Sequence, residues 1–321
     1  MKYCFLSTLY RIEITEFLGH GYQIIPGLYL SNDLEQAKKL ITPSFVEAAG
    51  GLETRALHNA DAFVYSIGEW ESQCQEEKEK IRVLGKFLDI VHLFLNTLWF
   101  IKDCSVNQEI GFFEYPFRNS YSSVSSNFRG VLFTTAEGSF RKTRFTREEL
   151  RVAREVIRLF GPREKLNPFI EDTHKDEPYS GVDRFSLCLF FLQAARTMSY
   201  VPVKIAFYCT CFESLVSTDP SETAHKVAER VAILLKQKDN PSGIFKSLKK
   251  AYGIRSKTVH GSLIKMSDRE CVKLSTLCDE YLRDILITFL RNSNLMDILM
   301  GRPEKIDDFF LKKVLEERNT S

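Results

Sequence analysis

Arg255 and His260 are the residues whose types and spacing suggest chemistry most directly. They sit in the segment YGIRSKTVHGSL (252–263), and no other arginine in the chain has a histidine five positions later. An imidazole titrates near neutrality, so it can take or give a proton. A guanidinium stays charged, and its planar fork matches two phosphate oxygens. RNA carries its own nucleophile, the 2′-hydroxyl beside each phosphate. An acid/base and a phosphate clamp are therefore the groups a metal-independent phosphodiester cleavage would need. On a regular helix, five residues rotate side chains apart by about 140°. Either the helix is distorted or ends between the two residues, or a cleft combines residues from two protomers.

The surroundings are locally basic. Lys246, Lys249, Lys250, Arg255, Lys257, Lys265, Arg269 and Lys273 face only Asp268 and Glu270, a balance suited to a polyanion. Lys246, Lys249, Lys250 and Lys265 are the candidate RNA contacts. Lys257 suits either a phosphate or solvent. Glu213 lies among Phe207, Tyr208, Phe212 and Leu215. A carboxylate in such an apolar helix needs a partner, and Arg255 is the candidate; a structural brace competes here with a catalytic acid.

The segments KIAFYCTCFESLVS, AERVAILL and LKKAYGIRSKTVHG together resemble the HEPN superfamily, in its Apea-like branch. There an aromatic–Glu pair in one helix precedes a Tyr-x-x-Arg-Ser-x-x-Val-His-Gly segment. The resemblance covers about residues 182–291. It implies an all-helical bundle and a metal-independent endoribonuclease with Arg255 and His260 as the catalytic pair. It also implies a homodimer with two motifs lining one cleft, and a role in antiviral defence or as a toxin. Ser256 stands where many catalytic relatives carry Asn, Asp or His, and Glu213 matches an acidic residue of the second helix. No cofactor is implied. A rival reading is a non-catalytic HEPN-like module that binds RNA or a protein partner, and a third is a bundle that only dimerises the N-terminal half.

Elements must position these residues. The chain has 321 residues, 44% hydrophobic and 27% charged, enough for two domains with buried cores. The net charge of +2 excludes a bulk electrostatic signature, so any footprint is local. The expected class is α+β: a mixed α/β domain over 1–165, of no recognised family, then an all-helical domain over 182–321. The boundary falls in the Pro-, Gly- and charge-rich stretch 161–182, which contains His174.

In the first half, strands are expected at 2–14, 22–30, 62–67, 109–117 and 129–136. Helices are expected to about Ile41, from about Glu69 to Ile101, and from a Thr146/Glu149 capping box to about Phe160. The Ser/Asn-rich NSYSSVSSN (119–127) reads as a loop. In the second half, helices are expected at 182–197, 202–217, 222–237, from Ser242 to near Tyr252, from a Ser267/Glu270 capping box to Arg291, and after Pro303.

Eight cysteines without a framework of spacings read as reduced, buried thiols of a cytosolic protein. Cys209-x-Cys211 has no partner in a zinc spacing, so no metal is expected. His20, His58 and His92 are isolated. The apolar run Leu88–Ile101 carries Asp89, His92 and Asn96, is too short to span a bilayer, and reads as a core helix. No secretory signal, Walker A, dinucleotide-binding glycine pattern or serine nucleophile elbow appears. The N-terminal domain is expected to sense a trigger or to bind an inhibitor or partner protein.

Overall fold

The computed structural model describes residues 1–70, 76–119, 122–161, 183–219 and 223–318. The fold is α+β, an antiparallel sheet with helices followed by a helical bundle. The described residues divide into two compact units, 1–133 with 140–161, and 134–139 with 183–318. Most of the expected linker, His174 included, lies outside the described residues.

The first unit is built on β1 (Lys2–Tyr10), which has β5 (Ala62–Glu69) on one side and β6 (Asn107–Tyr115) on the other, both antiparallel. With β3 (Tyr22–Ile25), β4 (Leu28–Ser31) and β7 (Ser123–Phe128) the strand order is β3-β4-β5-β1-β6-β7. Strand β1 is buried without alternation because helices cover both its faces. Cys4 and Leu6 pack with Ala37 and Leu40 of α1 (Leu34–Leu40), Phe45 of α2 (Pro43–Ala49) and Leu57 of α3 (Gly51–Asn59). On the opposite face Phe5 stacks on Phe87 of α4 (Glu77–Ile101), ring centroids 4.5 Å apart. Gly111 lets α4 approach the sheet: a Cβ there would come within 2.4 Å of Leu88 Cδ2. Helix α5 (Arg147–Leu159) packs on α4, and its capping box is closed by both expected hydrogen bonds. A small parallel pair, β2 (Ile12–Ile14) with β8 (Thr143–Phe145), completes the unit.

Helix α4 has 25 residues and is the one helix among the described residues long and apolar enough to cross a membrane. Its length therefore does not decide its environment. What marks it as a core helix is packing, with Val83, Val91, Phe94 and Leu98 fully buried against the sheet and α5.

Several expectations change here. The helix expected from Glu69 starts at Glu77, because Glu69 ends β5. Residues 129–136 are not a strand. The sixth strand is β7, inside the Ser/Asn-rich stretch expected as a loop, held by its ladder to β6. The boundary near residue 165 also misses an exchange: residues 134–139, placed in the N-terminal domain by sequence, pack within the helical unit.

That unit contains α6 (Arg184–Thr197), α7 (Val201–Val216), α8 (Thr223–Leu235), α9 (Pro241–Val259), α10 (Asp268–Arg291), α11 (Ser293–Leu299) and α12 (Pro303–Arg318). Helix α7 is apolar nearly all round and lies against α6, α8, α9 and α10, as a central helix must. Two of its long polar side chains find partners inside. Tyr208 Oη donates to Asp279 Oδ1 at 2.9 Å, and Arg283 also pairs with that carboxylate. Lys204 Nζ donates to Ala195 O at 2.8 Å and to Thr134 Oγ1 at 3.0 Å, so the inserted segment supplies a buried cation with a partner. The segment is also held by Thr134 N–H on Arg196 O at 2.7 Å and by Ser275 Oγ on Ala136 O at 2.6 Å.

Candidate active site

Helix α9 decides the geometry. Asn240, not Ser242, caps it by accepting from Ser242 N–H at 3.0 Å, and Pro241 opens its first turn. It does not stop near Tyr252. Ile254, 2% exposed, still faces the core, and the helix continues through Val259. Gly261, at φ 65°, then ends it in a Schellman turn: Ser262 N–H donates to Lys257 O at 2.8 Å and Gly261 N–H to Thr258 O at 3.3 Å. His260 is the C-cap, its φ −91° and ψ 7° still close to helical.

Arg255 and His260 therefore share one unbroken helical end and diverge on it. With 100° per residue, Lys246, Lys249, Lys250, Lys257 and His260 fall within an arc of about 100°, and Arg255 lies about 180° from Lys246. Burial agrees: those four lysines and His260 are exposed, whereas Arg255 is half-buried. Lys265, beyond the turn, is exposed as well. Lys246, Lys249, Lys257 and Lys265 make no ion pair among the described residues. Glu270 interacts with this ridge through Lys250. The Ser267 hydroxyl holds its carboxyl below the usual range, with a smaller contribution from Lys250.

On the inner side, Arg255 Nη2 pairs with Glu213 Oε2 at 3.1 Å, the ion pair that the apolar setting of Glu213 called for. The Arg255 guanidinium lies 5.9 Å from the Tyr252 ring centroid. Tyr252 Oη donates to Cys209 O at 3.4 Å. Burial pushes the Glu213 carboxyl above the usual carboxylate range, against the opposing pull of Arg255 and then Tyr252. Burial likewise pushes the Tyr252 phenol up. Glu213 Oε1 is buried without a hydrogen-bond partner among the described residues. The site thus consists of a braced arginine on one side of α9 and, on the other, a basic ridge ending in a histidine. The His260 imidazole has no hydrogen-bond partner among the described residues. Ser256 is exposed, and its carbonyl accepts from His260 N–H at 3.1 Å.

No family profile, curated protein or solved structure matches this chain. Its chemistry has to be argued from these residues.

Cys209 and Cys211 are buried thiols, pushed well above their ordinary pKa by burial. No group of three or more His, Cys, Asp or Glu placed to hold a metal occurs among the described residues. The seven described cysteines are all free and buried; Cys74 lies outside the described residues. His92 packs on Phe133, ring centroids 5.4 Å apart.

Sequence reasoning missed a cleft beside the motif. It measures ≈ 670 Å³ and is lined by Tyr200, Val201 and Pro202 at the start of α7, by the 261–266 segment, and by Asp268, Cys271 and Val272 of α10. Nothing in the spacing of Tyr200 marks it, and Asp268 read only as a charge opposing the lysines.

Proposed function

We propose that the helical unit is a metal-independent endoribonuclease acting as a cytosolic dimer. His260 is its acid/base group and Arg255 its phosphate clamp. The observation that carries this reading is the exposed, unpartnered imidazole at the end of the α9 lysine ridge. The lysines hold the RNA backbone by charge, which makes binding salt-dependent. His260 takes the proton of a 2′-hydroxyl as its oxygen attacks the adjacent phosphorus. Arg255 stabilises the added negative charge on the phosphorane oxygens. The P–O5′ bond breaks, the leaving oxygen receives a proton, and the products are a 2′,3′-cyclic phosphate and a 5′-hydroxyl. The N-terminal unit senses a trigger or binds an inhibitor, and the resemblance to HEPN proteins suggests antiviral defence or a toxin role.

The test is cleavage of single-stranded RNA by the full chain in EDTA. Cyclic-phosphate ends are expected, with activity abolished in Arg255→Ala and in His260→Ala. Equal cleavage by wild type and both variants would remove the pair from the mechanism. The divergence of the two side chains and the commitment of Arg255 to Glu213 favour a second reading, an RNA-binding module without catalysis. RNA retained without cleavage, with an affinity that survives His260→Ala, would select it.

A further inference from the structure

The cleft that begins at the residue after His260 has no part in the chemistry described so far. It opens between Tyr200–Pro202, the stretch from Gly261 to Met266, and the first turn of α10. Its ≈ 670 Å³ falls within the range of about 300–1,000 Å³ in which small-ligand sites occur. Its walls are mixed: Val201, Pro202, Leu263, Ile264 and Met266 give apolar surface, and Ser199, Ser262 and Asp268 give polar atoms. At its edge two large apolar side chains stand unusually far in solvent, Tyr200 at 63% exposure and Leu263 at 77%. Among the described residues, Asp268 is the only charged side chain lining it. Unlike the lysine ridge, this is a surface for something flat with apolar faces and a polar edge, with a carboxylate among its acceptors.

The geometry points to this cleft as a nucleobase subsite, in which Tyr200 stacks on an unpaired base of the RNA whose phosphate lies at His260, and Asp268 selects guanine. The inference rests on the ribonuclease reading and specifies its substrate. Single-stranded RNA is recognised by splaying bases onto aromatic side chains and reading their Watson–Crick edges. A phosphate on the ridge brings its own base within reach of a cleft that starts one residue further on. A carboxylate presents two acceptor oxygens side by side, and guanine presents two donors side by side, N1–H and N2–H2. Uracil offers one donor between two carbonyl oxygens, which the carboxylate repels. Adenine and cytosine offer an amino group beside an acceptor ring nitrogen.

The experiment uses the full chain carrying His260→Ala, so that RNA is bound and not consumed. Three fluorescent five-nucleotide RNAs are titrated by anisotropy at one salt concentration: four uridines around a central guanosine, the same with a central uridine, and the same with a central abasic sugar. The guanosine RNA is expected to bind roughly tenfold tighter than the abasic one, the scale of one stacked base. Adding Tyr200→Ala should collapse that difference and leave affinity for the abasic RNA unchanged. Tyr200→Phe should restore it. Asp268→Asn should bring guanosine down toward uridine. Equal affinity for all three RNAs, or a guanosine preference untouched by Tyr200→Ala, overturns the base site and leaves the ribonuclease reading standing. If none of the RNAs binds, both fall. Dissociation of a dimer by Tyr200→Ala with base preference intact would assign the cleft to self-association and overturn the proposal.

Discussion

Glu213 illustrates how one side chain can serve structure and chemistry at once. Its carboxyl is 19% exposed, holds Arg255 through one oxygen and leaves the other without a hydrogen-bond partner among the described residues. Burial raises its pKa more than Arg255 lowers it, so the folded chain holds this proton more tightly than the unfolded chain does. The sign of the pH dependence follows. Between the unfolded carboxylate pKa and the higher folded value, the native state binds more protons, and stability falls as pH rises. Glu213→Gln keeps an acceptor for Arg255 and removes this term. Wild type is therefore expected to gain stability relative to Glu213→Gln as pH drops from neutrality into the carboxylate range. Thermal melts of both proteins at several pH values check it, and a constant difference across the series would contradict the assignment. A brace of this kind fixes where the guanidinium sits without touching substrate, so Glu213 is a positioning residue in the proposed mechanism.

At the scale of elements, two glycines with positive φ make different demands. Gly261, at φ 65°, ends α9 with open space where a Cβ would go. Gly138, at φ 77°, would place a Cβ 2.1 Å from the carbonyl oxygen of Ser199. Gly261→Ala is expected to cost about 1–2 kcal/mol, the left-handed backbone penalty alone. Gly138→Ala adds a clash with main chain and should cost roughly 2–5 kcal/mol. Both tryptophans, Trp70 and Trp99, belong to the sheet unit, so their fluorescence follows that unit while far-UV ellipticity reports mostly the bundle. In chemical denaturation, Gly138→Ala should shift the ellipticity transition further than the fluorescence transition. Coincident shifts would mean that the inserted segment does not stabilise the bundle separately.

The elements legible in the sequence were those with local causes. Both capping boxes, Thr146/Glu149 and Ser267/Glu270, close as their spacing requires. Elements with distant causes were not legible. Strand β7 is a serine-rich edge whose existence depends on pairing with β6. Residues 129–136 look like strand by composition, but the last of them pack within the helical unit, satisfying Lys204 and Ser275 far along the chain. Helix α9 runs past Gly253 because Ile254 still has core to face. Within the site, the Glu213–Arg255 pair could be read from the cost of an unpaired buried carboxylate. The cleft at Tyr200 could not, since its walls come from three separate stretches of chain.

For the whole molecule, the question is how Arg255 and His260 can act on one phosphate when a single α9 turns them about 140° apart. The helix is regular up to the histidine, and Glu213 fixes the arginine on the inner side, so rotation within one chain does not reunite them. Two chains related by a twofold axis can, with the arginine of one facing the histidine of the other. Two inactive variants then make a decisive mixture. In a dimer of one Arg255→Ala chain and one His260→Ala chain, one composite site loses both groups and the other keeps both. Random re-association yields half mixed dimers, each with one of two sites intact, so the mixture should recover about a quarter of wild-type activity. The measurement is RNA cleavage after the two variants are unfolded and refolded together, with each refolded alone as the control. If the mixture is as inactive as its components while mixed dimers are shown to form, the two groups do not meet across an interface. Catalysis by this pair would then require a rearrangement of α9 in which Arg255 releases Glu213.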